Sequence, residues 1–521
     1  MLSKISSVLL FVLLLASCDA YAQYENPVLR GINPDPSILR VGHDYYLATS
    51  SFEYFPSCPI YRSLDLVHWQ LIGYALARPS QFAHLSPHPS TYATTLRYHN
   101  GIFYLITTDV RGGGNFYVTS KNPAGPWSDP IKIDQGMFDP SLFFDDDGTV
   151  YYTRRGTSDQ GIVQATIDIR TGKLTSPLRT VSKGMVTDDA EGPHLYKIGG
   201  WYYLIEAEGG TRFLHMETVG RSKSPWGPFA SDPANPFVAQ HISWDYPVKS
   251  VGHCDWTDTP QGKWWIVCLG TRHPDYASFS LGRETFLYSM QWQDDWPVIK
   301  QADVDQLQVS EHTLPPHSWP SRASRDEFNS AKLDDEWNTI GPLGAGVFSL
   351  TERPGFLRLR GTEALLSFKD TTAFVGRRQT EWTSRSETQL EFTPRTENEE
   401  AGLTALMSPS YNYEIFVATR NGRRVVMLRK QAGDMQEIAA QAAAPAGPLR
   451  FRIDSDPHKY SFYYAGANGD WKLLGTGLER LISSELAAVW SGAYIGMYSS
   501  GNGKPCSSSA DFDWFQYESS R

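Results

Sequence analysis

Three acidic residues open short stretches of this chain, two of them near-identical, and the chemistry open to them is proton transfer. Asp35 begins Asp35-Pro36-Ser37-Ile38, Asp139 begins Asp139-Pro140-Ser141-Leu142, and Glu191 begins Glu191-Gly192-Pro193-His194. Taken singly, an Asp before Pro is a turn former. Three acids at matched positions are another matter: crowded carboxyl groups raise one another's pKa, which costs folding energy and serves acid-base catalysis. The run Asp145-Asp146-Asp147, by contrast, precedes Gly148 in a turn and reads as a solvated loop without a chemical role.

An internal repeat brings the acids into register. A turn glycine followed by paired aromatic or apolar residues occurs five times, at Gly42-His43-Asp44-Tyr45-Tyr46-Leu47, Gly101-Ile102-Phe103-Tyr104-Leu105, Gly148-Thr149-Val150-Tyr151-Tyr152, Gly200-Trp201-Tyr202-Tyr203-Leu204 and Gly262-Lys263-Trp264-Trp265-Ile266. The glycines are 59, 47, 52 and 62 residues apart, and a short strand-like run precedes each one. That is a recurrent β-hairpin. Segments 66–69, 123–127 and 224–228 follow three of the hairpins as though closing a unit. Units of about fifty residues with several short strands and no helical periodicity predict a five-bladed β-propeller.

In a propeller the innermost strand of every blade starts beside the central axis, so equivalent positions converge there. Nine residues before the glycines of blades two to five stand Tyr92, Asp139, Glu191 and His253; in blade one Asp35 stands seven before. These five residues are expected to share one axial pocket.

Composition agrees with a folded, turn-rich β protein: among 521 residues, 16 Trp, 27 Tyr and 25 Phe stand beside 43 Gly and 33 Pro. A disordered or collagen-like chain is excluded. The net charge of −10, without a Lys/Arg run, argues against nucleic acid or an anionic membrane surface as main partner. Residues 1–22 read as a signal peptide, with Lys4 ahead of the apolar run 8–16 and Ala20-Tyr21-Ala22 as cleavage site. A lipobox ending at Cys18 is the alternative, giving a lipid-anchored protein. No later stretch is apolar for long enough to span a membrane. Cys58, Cys254, Cys268 and Cys506 are too few for a disulfide framework. Cys254 and Cys268 flank a predicted turn and could face each other across a hairpin, as a disulfide or as free buried thiols.

Residues 312–325, with three prolines, read as a linker. Beyond it, alternating runs at 356–360, 387–392, 425–428 and 451–453 predict a β-sandwich of about 190 residues. The alanine-rich run 439–444 reads as a loop or spacer. The domain scheme is therefore a signal peptide at 1–22, a propeller at 24–320 and a sandwich at 323–519.

Asn33-Pro34-Asp35-Pro36-Ser37, Phe138-Asp139-Pro140-Ser141-Leu142, Glu191-Gly192-Pro193-His194, residues 44–52, Val251-Gly252-His253 and Gly282-Arg283-Glu284-Thr285 together resemble family 43 of the glycoside hydrolases, in its two-domain β-xylosidase/α-L-arabinofuranosidase branch. The resemblance implies an all-β fold of five-bladed propeller and C-terminal lectin-like sandwich. It implies an inverting hydrolase with Asp35 as general base, Glu191 as general acid and Asp139 tuning that acid. It also implies that Arg283 hydrogen-bonds sugar hydroxyls, Phe52 forms an apolar wall and His253 sits at the pocket floor, contacting substrate or holding blade five to the axis. The sequence departs from the pattern at Tyr92-Ala93-Thr94, where the family often reads Trp-Ala-Pro; Tyr92 either packs on a sugar face or is core. A loop of the second domain, Trp490 to Tyr494 here, would wall the pocket or belong to ordinary sandwich core.

The expected function is an exported exo-glycosidase that removes terminal α-L-arabinofuranosyl residues from plant cell-wall oligosaccharides. β-D-Xylosidase or dual activity is the alternative, and a glycan-binding surface protein that has lost catalysis is the alternative from another class, disfavoured by retention of all three acids. No cofactor is required. A structural calcium has weak support, since His253 has no acids at ligand spacing in the sequence.

Overall fold

A computed structural model describes residues 24–520 except 242, 244, 275–278, 310, 312–313 and 368–369. The signal-peptide, cleavage-site and Cys18 readings lie outside the described residues, as does part of the proline-rich linker.

Each of the five repeats folds into an antiparallel sheet. Blade one comprises Ser37–Val41, Asp44–Ala48, Ser57–Ser63 and Gln70–Leu76; blade two comprises Thr95–His99, Ile102–Asp109, Gly114–Ser120 and Ile131–Asp134. Blade three (Ser141–Phe144, Val150–Arg155, Ile162–Asp168) and blade four (Glu191–Ile198, Trp201–Glu208, Met216–Ser222) each end in an outer edge split between two short strands. Blade five comprises Val248–Asp258, Trp264–Arg272, Glu284–Gln293 and Trp296–Ile299. The innermost strands touch in the cyclic order one, two, three, four, five, one, which closes the ring. The five repeat glycines have φ between 65° and 84°, with nothing within 4 Å of an added Cβ. The left-handed turn alone selects glycine there.

The paired aromatics after each glycine explain the repeat. Successive strand residues point to opposite faces, so each pair fills two different seams between blades. Tyr46 and Phe103 pack between blades one and two, Tyr104 and Tyr152 between two and three, and Tyr151 and Tyr202 between three and four. Tyr203 and Trp264 meet between four and five, and Trp265 and Tyr45 between five and one.

At the axis, buried Asp255 accepts from Ser37 Oγ at 2.6 Å, Ile38 N at 3.1 Å, Arg97 Nη1 at 2.9 Å and the Tyr196 hydroxyl. One carboxylate on blade five thus ties down blades one, two and four. Cys254 and Cys268, on adjacent strands of blade five, form a buried disulfide. The Asp145 reading needs correction: this residue is buried, accepting from Lys197 Nζ at 2.8 Å and the Tyr202 hydroxyl at 2.7 Å. Its partners come from the next blade, which a local turn pattern does not reveal.

The second half is a sandwich of an eight-stranded and a six-stranded sheet around a core that includes Leu403, Ile415, Phe451 and Phe512. The alanine-rich run is no spacer: Met435–Ala443 is the edge strand of the six-stranded sheet, paired along Arg423–Ala432. Pairing along a whole partner strand overrides alanine's weak strand preference, and Ala440 lies under Gly475 of the facing sheet. The outer face of the six-stranded sheet, with Phe374, Phe416, Met427, Tyr494 and Tyr498, packs on Ile32, Phe52 and Tyr54 of the propeller. The two domains also share backbone pairing, Thr339–Ile340 on Tyr54–Phe55.

Candidate active site

Asp35 and Asp139, just ahead of their innermost strands, and His253, at a register irregularity within Val248–Asp258, all have left-handed backbones, with φ of 54°, 59° and 49°. In blade four that conformation falls one residue later, on Gly192, at φ 55°. Such backbone costs energy in non-glycine residues and is concentrated at functional sites. A Cβ on Gly192 would lie 2.8 Å from His253 Nε2, so the absence of a side chain there seats the imidazole.

These residues surround one pocket, lined by Asp35, Phe52, Tyr92, Ala93, Phe138, Asp139, Glu191, Thr211, His253, Arg283 and Trp490, with about 400 Å³ of free space including its mouth. All seven residues singled out in the sequence line it. Phe52 and Tyr92 meet edge to face with centroids 5.6 Å apart, and Tyr92 leans on Phe138 at 5.9 Å. Trp490 arrives from the sandwich, over the Arg283 guanidinium at 5.8 Å. Of the two readings of its loop, Trp490 takes the pocket wall, whereas Tyr494 is buried and stacked on Tyr54 at the domain junction.

The two end carboxyls have different surroundings. Asp35 accepts from Arg283 Nη1 at 3.1 Å and from Ser50 Oγ, and its Oδ1 lies 3.7 Å from His253 Nδ1. Burial pushes its pKa up, but Arg283, His253 and Ser50 outweigh burial and hold it below the ordinary carboxylate value. Glu191 is driven the other way: burial raises it to about 7 against the pull of Arg155, with Asp189 and Asp35 adding to the rise. Asp139 is also raised, by burial and then by the Glu191 and Asp35 charges. Carboxylate oxygens of Asp139 and Glu191 lie within 4.8 Å of each other. Two acids in one buried site cannot both ionise freely, so the pair retains a proton near neutrality.

His253 has a donor atom within 4.8 Å of both acids. The fold therefore supplies the acids that sequence spacing withheld, and the trio has the residue types of a cation site. Arg155 already gives Glu191 a positive partner, and the trio serves equally as a proton-sharing set. Burial lowers the pKa of His253 against the opposing pull of Asp35.

Sequence reasoning missed Arg155, which donates from Nη1 to Glu191 Oε2 at 2.7 Å and covers Phe138 at 5.3 Å. It also missed Thr211, whose Oγ1 is buried in the pocket wall without a partner among the described residues. Neither carries a repeat signature: Arg155 ends the second strand of its blade, and Thr211 sits in a loop. Arg283 Nε is likewise buried and has no partner among the described residues, a donor left over after Asp35 is served.

A propeller whose axial pocket holds one carboxyl lowered and another raised in pKa, walled by aromatic rings, has the acid and base that hydrolysis of a glycosidic bond requires. Residues 24–297 match the model of Glycosyl hydrolases family 43, and residues 325–518 match the Beta xylosidase C-terminal Concanavalin A-like domain; the chain belongs to family 43. It is 42% identical over 96% of its length to a non-reducing end alpha-L-arabinofuranosidase of Bacteroides ovatus, covering 95% of that protein. It is 36% identical to a xylosidase/arabinosidase of Butyrivibrio fibrisolvens, covering 95% of this chain and 99% of the other. Among solved structures, Bacteroides ovatus Xyloglucan PUL GH43B superposes with a TM-score of 0.90 at 41% identity, covering 96% of this chain and all of that one. A xylan beta-1,4-xylosidase from Bacillus halodurans gives a TM-score of 0.89 at 32% identity, over 95% of this chain and all of the other.

Proposed function

We propose that this protein is an exported, inverting exo-α-L-arabinofuranosidase that removes terminal non-reducing arabinofuranosyl residues from hemicellulose oligosaccharides. The observation carrying this reading is the opposed tuning of two carboxyls in one pocket, Asp35 held low and Glu191 raised to about 7. Hydrolysis of a sugar acetal needs a base and an acid at the same pH. Asp35, ionised, takes a proton from a water that attacks the anomeric carbon. Glu191, protonated, gives its proton to the departing glycosidic oxygen on the opposite face. Asp139 keeps the proton within the acid pair until it is needed. Phe52, Tyr92 and Trp490 offer apolar surface to the sugar ring, and Arg283 and Thr211 offer donors to its hydroxyls. None of these steps calls for a cofactor.

Arabinofuranose is preferred because the Bacteroides ovatus relative carries that activity over nearly the whole length of both chains, and because an exported enzyme meets branched oligosaccharides before they are dismantled. Export itself rests on residues 1–22, with lipid anchoring through Cys18 as the alternative. β-D-Xylosidase activity, alone or in addition, is the second reading, favoured by the Butyrivibrio and Bacillus relatives. Incubation with nitrophenyl α-L-arabinofuranoside and nitrophenyl β-D-xyloside tests the proposal. Faster release from the first is the expected result; release from the second alone would replace the first reading with the second. No release from either, with sugar binding intact, would leave a glycan-binding protein. Arabinoxylan, arabinan and xyloglucan oligosaccharides then identify the parent polymer.

A further inference from the structure

The segment that delivers Asp35, residues 30–35, is held from both domains. On the propeller side, Asn33 N donates to Arg283 O at 2.9 Å, Thr285 Oγ1 donates to Asn33 O at 2.7 Å, and Ser50 N donates to Pro34 O at 3.1 Å. On the sandwich side, Arg378 ends the strand Ala373–Arg378 and is buried. Its Nε donates to Ile32 O at 2.9 Å and its Nη1 to Asn338 Oδ1 at 3.2 Å. Asn338 Oδ1 also accepts from the Tyr494 hydroxyl at 3.2 Å. Further along the same segment Glu381 accepts from Arg30, and from Arg272 Nη1 at 3.0 Å. Between these grips Gly31 passes so close to the sandwich backbone that an added Cβ would stand 2.7 Å from Gln379 O.

We propose that Arg378, a residue of the sandwich, is a positioning residue for the catalytic base: it fixes the backbone three residues ahead of Asp35 and thereby the place of that carboxylate relative to Arg283. The proposal rests on the reading of Asp35 as general base. Ile32 is buried, so its carbonyl has no water to turn to if the guanidinium is lost. Only a planar fork serves Ile32 O and Asn338 Oδ1 together; a lysine reaches one of them. If residues 30–34 relax, Asp35 drifts from Arg283 and Ser50, the partners that favour its ionised form. A misplacement of about 1 Å at a reacting group can cost about 10²-fold in rate. The second domain would then act on the chemistry as well as on the wall that Trp490 provides.

Arg378→Gln and Arg378→Lys, made in the full chain, test this against wild type and Asp35→Asn on nitrophenyl α-L-arabinofuranoside and nitrophenyl β-D-xyloside. The expected result for Arg378→Gln is a kcat lower by about 10–100-fold with KM changed by less than about threefold. The acid limb of its kcat/KM profile should rise by about half a pH unit or more as Asp35 loses its partners. Arg378→Lys should recover part of both. A merely structural loss would lower the active fraction and leave the limb where it was. If thermal melting shows that Arg378→Gln does not fold, Arg378→Lys and Glu381→Gln carry the same two readouts. Wild-type turnover abolished by Asp35→Asn, with the Arg378 variants unchanged in kcat and limb, would overturn this inference alone. Turnover unaffected by Asp35→Asn, or no wild-type turnover of either substrate, would overturn the reading of the base and this inference with it.

Discussion

Arg155 and Glu191 are joined by a 2.7 Å hydrogen bond, so the proposed general acid sits beside a cation that favours its ionised form. Burial wins nonetheless and lifts Glu191 to about 7. The sign follows: Glu191 carries its proton below that value and loses catalytic power above it, so kcat/KM should fall on the alkaline side with a limb near pH 7. Replacing Arg155 by Met removes the cation and should move the limb upward while lowering kcat. A pH–rate profile checks this; a limb moving downward would contradict it.

Asp35→Asn and Glu191→Gln should each lower kcat by about 10²–10⁴-fold with the fold intact, since each deletes a proton transfer while nearly keeping the shape. The Glu191→Gln loss should shrink on substrates with good leaving groups, which need little protonation. Asp139→Asn removes the partner that helps keep the proton in the pair, and its alkaline limb should move to lower pH. Initial rates across leaving groups and pH separate the three roles.

If Asp35 activates water and does not attack the sugar itself, the first-released sugar should have the inverted anomeric configuration, readable by NMR before mutarotation. Inverting carboxyl pairs stand ~6.5–9.5 Å apart and retaining pairs ~5–5.5 Å. A retained anomer would mean that a different pair of carboxyls does the chemistry.

The propeller expressed alone as residues 24–322 should be inactive or poorly soluble. Cutting there exposes Ile32, Phe52 and Tyr54, which face Phe374, Phe416 and Tyr494 across the domain junction, and removes Trp490 from the pocket. Size-exclusion chromatography and an activity assay decide; a monomeric, fully active fragment would make the sandwich an independent module.

Glu206 gives a prediction about stability. It is buried in blade four, Ser182 Oγ donates to its Oε2 at 3.0 Å, and its Oε1 has no partner among the described residues. Burial, with help from Glu208, raises its pKa from the ordinary 4.5 to about 8. The folded state therefore keeps a proton that the unfolded chain gives up, and this contribution to stability is complete below about pH 4.5 and lost as pH rises through about 8. Glu206→Gln should raise Tm by roughly a few degrees at pH 9 relative to its effect at pH 5. An effect independent of pH would count against it.

Much of this protein was legible without coordinates, because the physics involved is local. A glycine that must turn left-handed, followed by two large residues pointing to opposite faces, marks a hairpin wherever it occurs, and five such marks made the propeller. The same repeat aligned Asp35, Asp139, Glu191 and His253, since equivalent positions of successive blades must meet at an axis. What escaped is the set of contacts that ring closure and domain docking create between residues with no local relation. Arg155 reaches Glu191 across 36 residues and Lys197 buries Asp145 across 52, each from the neighbouring blade. Arg378 reaches Ile32 across 346 residues, from the other domain. The alanines of Met435–Ala443 became a strand because a whole partner strand was there to pair with. Residue order determined which side chains converge on the axis. Only the tertiary structure decided which carboxyl keeps its proton and which loses it, because that depends on the burial and the charges that distant segments bring to each one.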